Sequence, residues 1–295
     1  CIELADPPSA ALVVSTARNE WKRGAREAAL ARVTEVSEER LRAELTPAEA
    51  TGLLPVCRFL HEVGEATRAA KMVYAVLERV PQTDRTAWLQ LLARIRLEAD
   101  QPGRAVETLT TPDGEVADPS LAPLLLRSLV LAGQFDRGEE LLEQARRDPA
   151  YPDMTVAEAG LALARKQWER AIRKASQAIE TNPNSIHARS IRAEAAMASE
   201  KREFQHYARE DTSFMERMAP EHPALAMLLR RAIRQAAQEK DVATMESLAK
   251  RLDKVDGDSP YHWFLLGKAY VRTDQFDALR DKLPEWRRRF PDEDE

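Results

Sequence analysis

Apolar residues recur along this chain at offsets that fit one face of an α-helix. Four residues of the stretch YHWFLLGKAYVRTDQF stand at offsets 0, 3, 4 and 7: Trp263, Leu266, Gly267 and Tyr270. Residues at these offsets share one side of a helix, so the stretch predicts a helix that packs through this face. Gly267 offers a point at which a neighbouring helix can approach closely. The following RTDQFDAL predicts a turn and the start of a second helix.

The same pattern recurs upstream at intervals of about 34 residues. Self-similarity at such a period is typical of helical repeat proteins. Five further copies of the first-helix stripe are present: Leu53, Val56, Cys57 and Leu60; Trp88, Leu91, Leu92 and Ile95; Ala122, Leu125, Leu126 and Leu129; Val156, Ala159, Gly160 and Leu163; Leu229, Ala232, Ile233 and Ala236. Small or apolar residues follow at second-helix positions, as in Ala171, Ala175, Ala178 and Pro183. The pattern predicts an all-α fold of about eight helix-turn-helix pairs.

Two regions depart from the repeat. Residues 9–47 are helical in pattern but degenerate, which is typical of a terminal capping repeat. The copies at Val156 and Leu229 are separated by 73 residues, about five more than two units, which places an insertion in residues 186–223. The predicted organisation is therefore a tether at 1–8, the capping repeat, repeats at 48–185, the irregular repeat, repeats at 224–291 and an acidic tail at 292–295.

These features resemble the tetratricopeptide repeat (TPR). In that family a large residue, a Leu-Gly pair and a Tyr mark the first helix, small or aromatic residues mark the second, and Pro closes the unit. The last copy carries the clearest match, at Trp263, Leu266, Gly267, Tyr270, Phe276, Ala278 and Pro291. The resemblance implies that the helix pairs stack into a right-handed α-solenoid, a superhelix with a concave groove that binds proteins.

The overall charge argues against a nucleic-acid partner. The net charge is −5 and the pI is near 5.8, whereas binding to a phosphate backbone rests on a basic excess. Hydrophobic residues make up 44% of the chain, which is enough for a buried core. No apolar run is long enough to span a bilayer.

No combination of residues predicts an enzyme. The segment HEVGE at His61 lacks the second His of a zinc-binding helix, and there is no Gly-rich phosphate loop. We therefore expect no catalytic residue, no metal, no cofactor and no small-molecule substrate. The alternative, an enzyme built on the repeat scaffold, requires that a cofactor be found in the purified protein. Cys57 takes the small core position of Gly267, so a buried, unreactive thiol is expected.

The resemblance also implies which side chains face the groove. In tetratricopeptide folds, the first-helix residues that follow the large residue, the Leu-Gly pair and the Tyr look into the concave side. The position after the Leu-Gly equivalent is cationic in four of six copies: Arg58, Arg127, Arg234 and Lys268, with Ala93 and Leu161 in the other two. The neighbouring positions add His61, Arg96, Arg230 and Phe264.

A groove of this composition is expected to bind an extended or helical peptide that carries acidic and apolar groups. The alternative is that an Arg-rich helical protein places its arginines there without a binding role.

Aromatic and Met residues cluster in the insertion, at Phe204, Tyr207, Phe214, Met215 and Met218. Such residues are enriched in the cores of protein interfaces, which predicts a partner-binding surface. The alternative is a lengthened second helix that buries them internally.

The first residue predicts a lipid anchor. Only 2 of the 295 residues are Cys, and one of them is Cys1, followed by the Pro-rich CIELADPPSA. This arrangement resembles the N-terminus of a mature bacterial lipoprotein. Ile2, rather than Asp, next to that Cys resembles the residue pattern of lipoproteins that are sorted to the outer membrane. The expected location is the periplasmic side of the bacterial envelope, at the outer rather than the inner membrane. Similar TPR lipoproteins, such as pilotins, are scaffolds that organise multiprotein complexes. The alternative is a soluble cytoplasmic adaptor or co-chaperone without an anchor.

Overall fold

The computed structural model describes residues 10–42, 45–256 and 261–289, and the regular elements within these ranges are helical. The predicted all-α class is confirmed for this part of the chain. The predicted tether with Cys1 and the acidic tail lie outside the described residues. The helices are α1 (Ala10–Lys22), α2 (Arg26–Arg42), α3 (Pro47–Gly52), α4 (Leu54–Glu62), α5 (Ala66–Leu77), α6 (Arg85–Glu98), α7 (Pro102–Leu109), α8 (Ala122–Leu131), α9 (Phe135–Arg147), α10 (Thr155–Ala164), α11 (Trp168–Thr181), α12 (Ile186–Ala198), α13 (Gln205–Met218), α14 (Pro223–Gln238), α15 (Val242–Asp256), α16 (Tyr261–Arg272) and α17 (Phe276–Arg289).

Consecutive helices pack as pairs across short connections: α1 with α2, α4 with α5, α6 with α7, α8 with α9, α10 with α11, α12 with α13, α14 with α15 and α16 with α17. Each connection holds one residue in the left-handed backbone region: Gly24, Gly64, Asp100, Gly133, Lys166, Glu200, Lys240 and Asp274. In the turn at Gly64, the amide of Glu65 donates to the carbonyl of Leu60 at 2.8 Å. This bond closes the helix end as in a Schellman cap, and the left-handed residue turns the chain back.

Packing divides the chain into two compact units, the first ending at Met154 and the second beginning at Thr155. The sequence pattern predicts no boundary at this point. Within each unit, the first helices of successive pairs also contact one another: α1 with α4, α4 with α6, and α6 with α8 in the first unit, and α10 with α12, α12 with α14, and α14 with α16 in the second. This sequential neighbour packing is the arrangement expected of helical repeats.

The predicted stripes form the core of the first unit. All twelve first-helix positions predicted there are buried: Leu53, Val56, Cys57, Leu60, Trp88, Leu91, Leu92, Ile95, Ala122, Leu125, Leu126 and Leu129. In the second unit the copy at Val156 is broader than predicted, because α10 packs against both α11 and α12. Leu161 and Ala162 are fully buried there, while Val156 and Leu163 are half-buried.

Gly267 of α16 faces the close neighbour that its sequence position predicts. A Cβ atom at Gly267 would lie 3.1 Å from the ring of Trp286 on α17. The ring centroids of Trp286 and Trp263 lie 5.3 Å apart. A side chain at this position would therefore require the indole to shift by a few tenths of an ångström, and the close approach of a neighbouring helix expected at Gly267 is present.

None of the helices in the described ranges combines the length and the apolar character that crossing a membrane requires.

Candidate protein-binding groove

A groove in the first unit lies between the first helices α4 and α6 and has a volume of about 470 Å³. We call it the cationic groove. Its lining comes from one face of each helix: Arg58, His61 and Glu62 of α4, and Ala87, Gln90, Leu91, Arg94 and Glu98 of α6. The α6 residues 87, 90, 91 and 94 have the same offsets as the packing stripes, so they share one face of that helix. The faces of α4 and α6 that border the core are apolar, and this adjacent face carries the charge.

The two acidic side chains of the groove are already engaged. Arg18 of α1 donates from Nη2 to both carboxylate oxygens of Glu62, at 2.8 Å each. His61 Nε2 lies 2.7 Å from Oε2 of Glu98. These contacts reduce the acceptor capacity that the groove offers to a ligand.

The two arginines of the groove, unlike its two carboxylates, are not engaged by other side chains. Arg58 and Arg94 are both exposed, and neither has an ion-pair or hydrogen-bond partner among the described residues. Guanidinium groups bind carboxylates through two parallel hydrogen bonds. The groove therefore offers donors on two neighbouring helices to an acidic ligand.

The structure brings only part of the predicted groove set together. Arg58 and His61 lie in the cationic groove, and Arg127 is exposed on α8 without an ion-pair partner in the described ranges. Arg96 has a different role. Its guanidinium donates to the Tyr74 hydroxyl and to the Thr108 hydroxyl, so it ties α6 to α5 and α7.

The predicted groove residues of the second unit have several environments. Arg230 forms an ion pair with Asp256. Arg234 is exposed and has no ion-pair partner in the described part of the chain. Phe264 and Lys268 are exposed on α16, one turn apart, and the Lys268 ammonium lies 5.0 Å from the centroid of the Phe264 ring.

Two positions counted as groove-facing from the fixed offset are buried, so that prediction is wrong for them. Ala93 and Leu161 are each fully buried. At Ala93 the stripe keeps its register, since Trp88, Leu91, Leu92 and Ile95 are all buried, but the buried face of α6 is wider than the stripe and includes the small residue after Leu92. Arg94 takes the exposed position instead, and sequence reasoning missed it. The available signal in the sequence was that Arg94 directly follows Ala93, the position that the fixed offset assigns to the groove.

The insertion residues are largely engaged inside the second unit. Met215 is fully buried, and the Phe204 and Tyr207 rings stack with centroids 6.4 Å apart. The Arg189 guanidinium lies 3.9 Å from the centroid of the Phe214 ring. Met218 is exposed. These contacts favour the alternative in which the cluster packs internally.

Cys57 is expected to resist alkylation in the folded protein. The side chain is fully buried, and this burial raises the pKa of the Cys57 thiol to about 12, so the reactive thiolate is scarce near neutral pH. Iodoacetamide treatment at about pH 8, followed by peptide mass spectrometry, should leave the Cys57 peptide unmodified. The same treatment in guanidinium chloride should modify it. Complete alkylation of Cys57 in the folded protein would contradict the buried position.

In the described ranges, no group of three or more His, Cys, Asp or Glu side chains is arranged to hold a metal ion. A scan against protein-family models and a search of curated protein sequences both return no significant match to this chain.

Proposed function

We propose that this protein is a non-enzymatic interaction scaffold whose cationic groove binds an acidic segment of a partner protein. The observation that carries the proposal is the pairing state of the groove. Its carboxylates are occupied by Arg18 and His61, while Arg58 and Arg94 have no counter-ion in the described structure. A carboxylate of the partner supplies the counter-ion that Arg58 and Arg94 lack. Such charge complementarity favours the correct partner and fixes its position along the groove.

The architecture supports this role. Consecutive helix pairs that contact through their first helices are the building plan of TPR-like solenoids, which present such helices along an extended binding surface. The proposal therefore includes a TPR-type stack in which the groove between α4 and α6 is one segment of that surface. Leu91 is largely buried but borders the lining, and an apolar border next to the arginines suits a segment that carries both acidic and apolar side chains.

The cellular setting is a separate part of the proposal. We propose a lipid anchor on Cys1 and a location at the bacterial envelope, with a soluble adaptor as the alternative. Intact-mass measurement of the natively expressed protein, with fragmentation of its N-terminal peptide, decides between them. A diacyl or triacyl adduct on Cys1 supports the anchor, whereas a free thiol or additional residues before it reject the anchor.

Reversal of both groove arginines is expected to weaken the binding of an acidic peptide. The probe is a fluorescein-labelled peptide of alternating Glu and Leu, measured by anisotropy against the full chain. The double variant Arg58→Glu/Arg94→Glu should raise Kd at least about tenfold, because charge-assisted hydrogen bonds are lost and like charges are introduced. Added salt should also weaken binding to the unaltered protein.

The matched control is Lys71→Glu/Arg79→Glu. Both residues are exposed in the first unit, outside the groove lining, and the change in net charge is the same. The control should bind the peptide as the unaltered protein does, within about twofold. Equal losses in the two double variants would show a general charge effect and reject the groove. Unchanged binding in the groove variant would also reject it.

A further inference from the structure

A larger concave surface lies in the second unit, between the second helices α13 and α15, with α14 between them. Its volume is about 840 Å³, within the range of small-molecule sites. We call it the polar cleft. Each helix contributes four residues at offsets 0, 3, 4 and 7: Gln205, Ala208, Arg209 and Thr212 from α13; Ala232, Gln235, Ala236 and Glu239 from α14; and Thr244, Ser247, Leu248 and Arg251 from α15.

The residues that line the polar cleft keep it open. In the first unit these offsets carry mostly large apolar side chains, whereas the lining of the cleft, which includes Ala232 and Ala236 of the α14 stripe, is mostly small or polar. Ala208, Ala232, Ala236 and Ser247 project little volume. The three helix faces therefore meet without filling the space between them.

Two polar groups of α13 in this lining have no hydrogen-bond partner among the described residues. One is the hydroxyl of Thr212, a residue that is only 4% exposed, and the other is the buried amide nitrogen of Gln205. The two residues lie two helical turns apart on the face that borders the cleft. Buried polar groups are nearly always hydrogen-bonded in native proteins, so these two groups require partners that the described residues do not supply.

The charges of the cleft favour an anion. Arg202 and Arg209 are exposed in its lining and have no ion-pair partner in the described ranges. The third arginine, Arg251, is held by Glu216, with N–O distances of 2.6 and 2.9 Å.

The carboxylates of the lining already have partners. Glu239 accepts a hydrogen bond from the Gln235 amide at 3.0 Å. Asp241 accepts from the backbone and the hydroxyl of Thr244, at 3.0 and 2.6 Å. Among the charged side chains of the lining, the guanidinium groups of Arg202 and Arg209 are thus the ones without a partner of either kind in the described ranges.

We propose that the polar cleft binds a small organic anion whose carboxylate or phosphate group pairs with Arg202 and Arg209 and accepts hydrogen bonds from Gln205 and Thr212. Leu248 and Met197 provide apolar contact for the body of the molecule. This site is independent of the cationic groove, and the sequence analysis, which expects no small-molecule substrate, does not predict it.

Calorimetric titration of the full chain with citrate and, separately, with glycerol 3-phosphate tests the proposal at constant ionic strength. We expect at least one of them to bind at one site per chain with Kd below about 1 mM. Binding of citrate alone identifies a carboxylate site, and binding of glycerol 3-phosphate alone identifies a phosphate site. If neither binds, the proposal is overturned.

Three variants locate the binding. Arg202→Gln/Arg209→Gln and Thr212→Val should each raise Kd, the double variant by at least about tenfold. Ser247→Trp fills the cleft without changing any charge and should abolish binding while leaving the circular dichroism spectrum unchanged. The matched control, Arg217→Gln/Lys250→Gln, removes two exposed cations of α13 and α15 outside the lining and should leave Kd unchanged. Equal weakening in the control, or full binding by Ser247→Trp, would place the anion elsewhere and overturn the proposal.

Discussion

Replacement of Asp211 by Leu is expected to lower the free energy of unfolding by about 3–5 kcal/mol. Asp211 of α13 is fully buried and is the shared counter-ion of two buried arginines of α12. Arg189 donates to its carboxylate at 2.7 Å, and Arg192 donates twice, at 2.7 and 2.8 Å. Removal of the carboxylate leaves two desolvated guanidinium groups without a buried counter-ion, which is far more costly than loss of an exposed ion pair.

The environment of Arg192 shows how these forces balance. Burial opposes the charged form, but the hydrogen bonds and the attraction of Asp211 outweigh it and hold the pKa of the Arg192 guanidinium above its ordinary value. The aromatic rings of Tyr207 and Phe214 cover the two arginines, with the Arg192 guanidinium 4.5 Å from the Tyr207 centroid. These rings carry no negative charge, so they cannot replace Asp211 as the counter-ion of the two guanidinium groups.

Urea denaturation followed by circular dichroism measures the effect. The control is Glu210→Gln, which removes a neighbouring charge from the same helix. The Glu210 side chain is 56% exposed and lies 3.4–3.5 Å from the same arginines, so the expected loss is below about 1 kcal/mol. Adding Arg189→Met and Arg192→Met to Asp211→Leu should recover much of the lost stability, because an apolar replacement of a whole buried ion network is often neutral. An Asp211 variant as stable as the Glu210 variant would contradict the buried network.

Replacement of Trp88 by Ala is also expected to cost about 3–5 kcal/mol of unfolding free energy. Trp88 of α6 is fully buried and belongs to the continuous core of the first unit, together with residues of α1, α4 and α5. Its truncation removes a large apolar area and leaves a cavity, and both effects destabilise the folded state.

Two comparison variants separate these effects in the same urea experiment. Trp88→Phe should cost clearly less than the Ala variant, because it keeps a ring in the core and removes an indole N–H that has no acceptor among the described residues. Leu131→Ala at the end of α8 should be nearly neutral, since Leu131 is 55% exposed. If Trp88→Ala is no more destabilising than Leu131→Ala, Trp88 is not a core residue.

The described core of the first unit was largely predictable, whereas the candidate groove was only partly so. Burial of Leu53, Trp88 and Ala122 follows from offsets along a single helix, which the sequence displays directly. The groove depends on the relation between two helices. The buried face of α6 is wider than its stripe, so Ala93 is buried and Arg94 is exposed, and counting a fixed offset within one helix does not detect this.

Buried charged residues were the second feature that the sequence-based prediction missed and the structure shows. Asp211, Arg189 and Arg192 look in the sequence like ordinary polar positions on solvated helix faces. Their burial depends on which face of α12 meets α13, and the pairing of one carboxylate with two guanidinium groups is possible only at that contact. The same dependence applies to Gln205 and Thr212, whose polar atoms are buried where α13 packs against α12 and α14.

By itself, the sequence determined the helical class, the pairing of consecutive helices and the apolar stripes, because all three follow from periodicity within about 34 residues. Only the tertiary structure decided the division at Met154, the unpaired arginines of the cationic groove, the ion network at Asp211 and the polar cleft. These features depend on contacts between faces of different helices. Those contacts decide which charged and polar groups are buried and which partners they have, and both determine the interaction energy of each group.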